Sequence, residues 1–190
     1  MKAPSMSAPA SARMTADEFI AWAMEQPETE HYELAGGEVI AMAPERVTHS
    51  RAKLHIARRL IAAIDAAGVD CETFIDGLAV VVDEGTVYEP DVLVRCGTDL
   101  HGATVRISDP VIVVEVLSRS TKGRDTGAKL ADYFRLRSVR HYLIVRAEDR
   151  IIIHHARHED GSIATRILRE GPIPLDPPGI TLTDPFSPKT

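Results

Sequence analysis

The sequence predicts a mixed α/β domain, a sheet flanked by helices, with an extra helix and hairpin at its N-terminal end. Helical apolar spacing recurs around residues 14–24, 48–67 and 125–137, with strand-like apolar runs between and after them. The run from Val111 to Ser118 is so rich in β-branched residues that it belongs in a sheet covered on both faces.

Met14 to Met24 opens on Thr15, a good N-cap, with Asp17 and Glu18 in the first turn and Phe19, Ile20 and Ala23 on one side. Tyr32 to Ala43 reads as two short strands about Gly36-Gly37, closed by Pro44. From Thr48 to Ala67 an apolar stripe of Leu54, Ile56, Ala57, Leu60, Ile61 and Ile64 predicts a long helix. Gly68 is its stop, and Arg51, Lys53, Arg58 and Arg59 are placed on the remaining surface. Three strands are expected next: Cys71 to Asp83, Tyr88 to Arg95, and Val111 to Ser118, separated by turn residues. A third helix is expected from about Asp125 to Arg137. A hairpin of His141 to Ala147 and Arg150 to Ala156 follows, and Ile163 to Arg169 with Ile180 to Leu182 end the sheet. Residues 1–13 and 185–190 read as tails, leaving residues 14–184 as one domain.

The 190 residues are 44% apolar and 26% charged, which suits a packed core and a solvated surface. No apolar run approaches the roughly 20 residues that a membrane helix needs. The Ala, Ser and Pro-rich start lacks the apolar segment of a secretory signal. Cys71 and Cys96 have no C-x-x-C spacing, so the expectation is two free thiols in a reducing cytoplasm. The net charge of −6 argues against coating nucleic acid by charge alone. It is unevenly spread: Arg119 to Arg150 carries nine Arg or Lys against four Asp or Glu, a solvated surface or a phosphate-binding face. There is no glycine-rich phosphate loop and no G-x-S-x-G elbow.

Glu115 stands inside Val-Ile-Val-Val-Glu-Val-Leu-Ser, where a carboxylate has to be paired, hydrogen-bonded or metal-bound. A structural salt bridge to an arginine is the alternative. Asp91 enters the preceding apolar strand directly after Pro90, and the turn-rich link from Arg95 to Pro110 allows that strand to fold back beside Glu115. Two adjacent carboxylates repel unless a cation lies between them, and oxygen ligands of this kind suit Mg²⁺ or Mn²⁺. Asp125, Lys129 and Tyr133 share one helix face at i, i+4 and i+8, which by itself reads as ordinary helix stabilisation with Tyr133 in the core. His154 and His155 point to opposite faces of a strand, so with His158 they make a poor zinc tract. Trp22 reads as packing, and His49 as either a helix cap or a contact at the edge of the site.

Together these features resemble the Uma-two restriction endonuclease family, within the PD-(D/E)XK nuclease superfamily. The likeness runs through Tyr32-Glu33-Leu34, Gly37-Glu38-Val39-Ile40, Met42-Ala43-Pro44, His49, Pro90-Asp91-Val92 and Val114 to Ser118 with Ser120-Thr121. Asp125, Lys129, Tyr133 and His141 to Val145 complete it. The resemblance implies a restriction-endonuclease-like mixed central sheet and a metal-dependent phosphodiesterase acting on DNA. Asp91 matches the first acid and Glu115 the second. Leu117 stands where many relatives place a lysine, and the resemblance implies that Lys129 takes over, with Lys122 ranked after it. Glu38, and after it Glu33, match family acids that could complete the metal site. On this reading Asp91, Glu115, the carbonyl of Val116 and Glu38 hold Mg²⁺ or Mn²⁺, while Arg119, Lys122 and Arg124 grip DNA phosphates. The sequence departs from the family at Arg119, usually Pro, at Leu143, usually Trp, and at Arg146, usually Asp. Two-fold symmetry suggests a homodimer. The rival readings are a nuclease-fold module that binds nucleic acid or protein without cutting, and a phosphohydrolase of small substrates.

Overall fold

The computed structural model describes residues 13–117 and 126–186. Helix α1 (Ala16–Ala23) begins at a full capping box: Thr15 accepts from the Glu18 amide, and Glu18 accepts from the Thr15 amide at 2.8 Å. Strands β1 (Tyr32–Ala35) and β2 (Glu38–Ala41) form the expected hairpin. Gly36 and Gly37 both take positive φ (58° and 84°), the backbone that a tight two-residue hairpin turn requires. Helix α2 (Val47–Ala67) ends at Gly68 in the left-handed region, φ 63°, as expected. Its buried stripe is Lys53, Ile56, Ala57, Leu60 and Ile64; Leu54 and Ile61, expected inside, are about half exposed.

The two long strands expected next are each divided. Cys71 to Asp83 becomes β3 (Cys71–Ile75) and β4 (Ala79–Asp83), broken where Asp76 and Gly77 both take positive φ. Tyr88 to Arg95 becomes β5 (Thr86–Tyr88) and β6 (Val92–Cys96), broken at Glu89-Pro90-Asp91. These breaks pass the chain from one sheet to another. After β7 (Arg106–Ile107) come β8 (Ile112–Val116), α3 (Thr126–Tyr133), β9 (His141–Arg146), β10 (Ile151–Arg157) and β11 (Ile163–Leu168). The last strands, β12 (Ile173–Leu175) and β13 (Ile180–Leu182), pair only with each other, so Ile180 to Leu182 does not extend the main sheet as expected.

Among the described residues one sheet runs β2-β1-β5-β4-β7 and the other β11-β10-β9-β8-β6-β3. In the larger sheet only β8 and β9 are parallel, joined through α3, as a crossover connection demands. One face of this sheet buries Val92, Val94, Ile112, Val114 and Val116 against α2 and the β12–β13 ribbon. The other face buries Leu93, Val113, Tyr142 and Ile144 with Tyr133 and Phe134 from α3 and its exit. All five residues of β8 are buried, which accounts for the continuous apolar run in the sequence. A third cluster joins α1 to the hairpin through Phe19 and Leu34, with Trp22 packed partly buried against it and edge-on to Tyr32. No helix among the described residues is long and apolar enough to cross a membrane.

The expectation of free thiols is corrected. The antiparallel register of β3 and β6 sets Cys71 opposite Cys96, and the two form a disulfide. Only the register brings them together, because 25 residues separate them. Closing a loop of that length stabilises the fold by about 3 kcal/mol through the unfolded chain. Reduction, or Cys71→Ser with Cys96→Ser, should therefore lower unfolding stability by about that amount in urea. A change below about 0.5 kcal/mol would show that the bond adds nothing.

Candidate active site

Register carries the site. Val92 pairs with Val114, so Asp91, one step before β6, lies opposite Glu115, one step further along β8. Glu115 alternates with Val113 onto the face that α3 covers, while the Asp91 carboxyl reaches the start of α2. The Asp91 Oδ2 accepts the Val116 amide at 2.6 Å, and its Oδ1 lies 2.8 Å from His49 Nε2. Val116 thus meets Asp91 through its N–H; its carbonyl had been the expected ligand.

Glu115 is 8% exposed, and its Oε1 accepts from Lys129 Nζ at 3.2 Å and from the Tyr133 hydroxyl at 2.9 Å. Lys129 also donates to Glu33 Oε1 at 2.7 Å and lies over the Tyr88 ring at 4.9 Å. Glu33 in turn accepts the Glu89 amide at 3.1 Å, two residues from Asp91. A lysine from the helix after the second acid therefore does reach that acid. The arginine alternative for Glu115 is replaced by an ammonium shared between two carboxylates.

Burial pushes the Glu115 carboxyl up to about 7; Asp91 and Glu33 add to this, while Lys129 opposes it. Burial works against the Lys129 charge, but Glu115 and Glu33 outweigh it and hold the ammonium above its usual range. Burial and the Glu115 charge push the Tyr133 hydroxyl well up, so it remains a donor.

Glu33 belongs to this network and Glu38 does not. Glu38 pairs with Ala35 on the same hairpin face but nearer the turn, and is exposed, whereas Glu33 is 2% exposed. Glu33→Ala should cost roughly 3 kcal/mol or more, because it strips a buried ammonium of a partner. Glu38→Ala should stay within about 0.5 kcal/mol. Equal losses in thermal or denaturant unfolding would refute this ordering.

Two residues around His49 went unread. Glu45 lies 3.7 Å from His49 Nε2, and Glu45, His49 and Asp91 offer ligand atoms within 4.8 Å of one another. Lys53, assigned to the surface from sequence, is buried: it donates to Asp76 at 2.6 Å and to Glu45. The signal was present, since Glu45, His49 and Lys53 recur every four residues and Lys53 leads into Ile56 and Leu60. The hydrogen bond to Asp91 is the main cause that raises the His49 imidazole. Arg119, Lys122, Arg124 and Asp125 lie outside the described residues. His154 and His155 do point to opposite faces, one towards His141 and the other towards Thr165.

Residues 16–184 match Uma2, a family described as "Putative restriction endonuclease". The chain belongs to the Uma2 family. It is 30% identical over 162 residues to slr1290, an uncharacterized protein of Synechocystis sp., covering 85% of this chain and 83% of that protein. A second uncharacterized Synechocystis protein, sll1609, is 27% identical over 135 residues, covering 70% of this chain and 74% of that protein. The fold is similar to a crystal structure from Anabaena variabilis, titled as a putative nuclease belonging to DUF820. The TM-score is 0.65 at 16% identity, covering 86% of this chain and 90% of that one. Membership of Uma2 makes the chain restriction-endonuclease-like, and the mixed sheets flanked by helices agree with it.

Proposed function

We propose that this Uma2 chain is a divalent-metal-dependent endonuclease that hydrolyses phosphodiester bonds of DNA. The observation that supports it is the placement of Asp91 opposite Glu115, with Lys129 of α3 bonded to Glu115.

The donor set fits a divalent cation. Lys129 bonds Glu115 and Glu33, and Asp91 stands close enough to raise the Glu115 carboxyl further, so a hard cation with oxygen ligands would offset the negative charge gathered here. Among the described residues, both donors to Glu115 reach Oε1, and Oε2 accepts no hydrogen bond. Asp91 and Glu115 would hold Mg²⁺ or Mn²⁺, with His49 and Glu45 beside Asp91. When bound, such an ion polarises a phosphoryl oxygen and acidifies a coordinated water.

The chain's own groups have separable tasks. His49 and the Val116 amide fix the two oxygens of Asp91, so its plane is set before substrate arrives. Tyr133 and Lys129 fix Glu115 in the same way and favour its ionised form. The Lys129 ammonium stays charged and places a fixed positive field where negative charge grows on the phosphoryl group. Arg119, Lys122 and Arg124, between β8 and α3 in the sequence, would bind neighbouring phosphates.

The test uses purified full-length protein with supercoiled plasmid and Mg²⁺ or Mn²⁺. Cleavage is expected, is stopped by chelation, and falls to background in Asp91→Asn and in Glu115→Gln. Mn²⁺ binding followed by electron paramagnetic resonance should weaken in the same variants. Cleavage that persists in either variant would overturn the assignment. Wild-type protein that binds DNA without cutting it under any divalent ion would favour the non-cutting module.

A further inference from the structure

At the opposite end of the larger sheet two arginines face each other with no acid between them. His141 pairs with Ala156, so the next pair outward is Arg140 and Arg157, and the Arg157 amide donates to the Arg140 carbonyl at 2.9 Å. Cross-strand partners have Cβ atoms about 5 Å apart on one face, and like charges set this way destabilise a sheet. Arg137 lies three residues before Arg140, in the turn that leaves α3. Among the described residues none of the three arginines is in an ion pair.

Hydrogen-bond accounting marks the same place. Ser138 Oγ, Arg140 Nε and Arg157 Nε are shielded from solvent and have no hydrogen-bond partner among the described residues. Leaving such atoms unpaired costs about 1–3 kcal/mol each. Arg157 is held in position independently: its Nη2 donates to the carbonyls of Phe134 and, at 3.2 Å, Leu136, and its guanidinium lies 5.2 Å from the Phe134 ring centre. That contact caps the exit of α3 but leaves Nε unpaired. Burial, followed by the charges of Arg140 and Arg137, pulls the Arg157 guanidinium down, the mark of a cation short of counter-charge.

We propose that Arg137, Ser138, Arg140 and Arg157 form an oxyanion site for a phosphate group, separate from the acids around Asp91. A tetrahedral oxyanion cancels the repulsion between the facing arginines, and rotation of the Ser138 and Arg140 side chains towards it would give their shielded donors acceptors. The site lies roughly 13 Å from Glu115 along the strands, four residues at about 3.3 Å each. The phosphate comes either from a free phosphate compound or from the backbone of a bound nucleic acid. The inference stands whether or not the chain cuts DNA.

The experiment titrates full-length protein, without divalent metal, first with inorganic phosphate and then with a 20-nucleotide DNA duplex. It compares wild type with Arg140→Gln, Ser138→Ala and Arg137→Ala; circular dichroism and the melting temperature confirm that each variant is folded. A free-phosphate site predicts that Arg140→Gln weakens inorganic phosphate binding at least tenfold and leaves duplex affinity unchanged. A backbone-phosphate site predicts weaker duplex binding, with the slope of log affinity against log salt falling by about 0.9 for the lost contact. If all three folded variants bind both probes as wild type does, or wild type binds neither, the site does not exist. Arg157→Ala is left out because its contacts to Phe134 and Leu136 also hold the fold.

Discussion

Lys129→Met should lower folding stability by roughly 3–5 kcal/mol near pH 8, the cost of breaking a buried ion pair from one side. The side chain has one ammonium serving two carboxylates, Glu33 at 2.7 Å and Glu115 at 3.2 Å, and all three residues are buried. Methionine fills much the same volume, so packing against Tyr88 is kept and the charge is the main thing removed. Glu33 and Glu115 then face each other and Asp91 without a cation. Glu115, already up at about 7, is expected to go higher and take a proton from solution. The loss should accordingly be smaller at pH 6 than at pH 8, because protonated Glu115 no longer repels Glu33. Adding Glu33→Gln should recover part of the stability, because one of the two stranded charges is gone. Denaturant unfolding at the two pH values reads all of this. A loss below about 1 kcal/mol at pH 8 would mean that the carboxylates find solvent or another partner.

Acid should destabilise the chain through a different pair. His141 and His154, 3% and 1% exposed, lie with Nδ1 of the first 3.0 Å from Nε2 of the second. The Pro177 carbonyl fixes the protons: it only accepts, so His141 Nε2, 3.1 Å away, donates. His141 Nδ1 is then the acceptor and His154 Nε2 the donor, which leaves His154 Nδ1 to face Arg166 Nη2 at 3.4 Å. This arrangement holds only while both rings are neutral. Burial is the main cause that pulls His141 down to about 4, with Arg140 adding to it against Asp176 and the Pro177 carbonyl. Burial again, then His141, Arg166 and His155, pulls His154 down to about 3.

A histidine lowered on folding binds its proton more readily in the unfolded chain. Stability therefore falls as pH drops below about 6.5, by roughly 3 kcal/mol for each ring by pH 4. Glu115 has the opposite sign: its raised value means that the folded chain binds the proton first, so stability grows as pH falls from about 7. Two rings outweigh one carboxyl, and the wild-type curve should decline gently below pH 6.5. In Glu115→Gln with chelator present, the full decline should emerge, and His154→Gln should flatten it. A melting temperature in Glu115→Gln that stays level from pH 7 to pH 4.5 would refute the pairing.

The sequence discloses these features unevenly, for physical reasons. Glu115 is conspicuous because an acid in an unbroken β-branched run has few explanations, and β8 is indeed buried along its length. Asp91 is legible through Pro90, but its partner depends on the β6–β8 register, which no local pattern states. Lys129 came from the family resemblance; as a residue it looks like any helix lysine, and only the fold shows it beneath two carboxylates. Glu33 and Glu38 alternate onto the same hairpin face, so periodicity cannot rank them. What decides is which end of the hairpin meets α3, and that is a tertiary fact. The break at Asp76-Gly77 hides inside a run that otherwise alternates like one strand. Cys71 and Cys96 could not be paired without the register of β3 against β6. Lys53 misleads because a positive charge suggests solvent, although its helical spacing matches the buried stripe.

The split of Glu33 and Glu115 between two sheets also has a temporal meaning. A ribosome releases the hairpin carrying Glu33 about a hundred residues before Lys129, and the hairpin can close on its own while the charge balance around it cannot. Until α3 arrives, the nascent chain has an acid with no Lys129 ammonium to neutralise it, although the apolar contacts of Phe19, Leu34 and Val87 are already available. Closure of the charged centre therefore waits for α3, and the strands β9 to β13 that complete the larger sheet and the ribbon leave the ribosome later still.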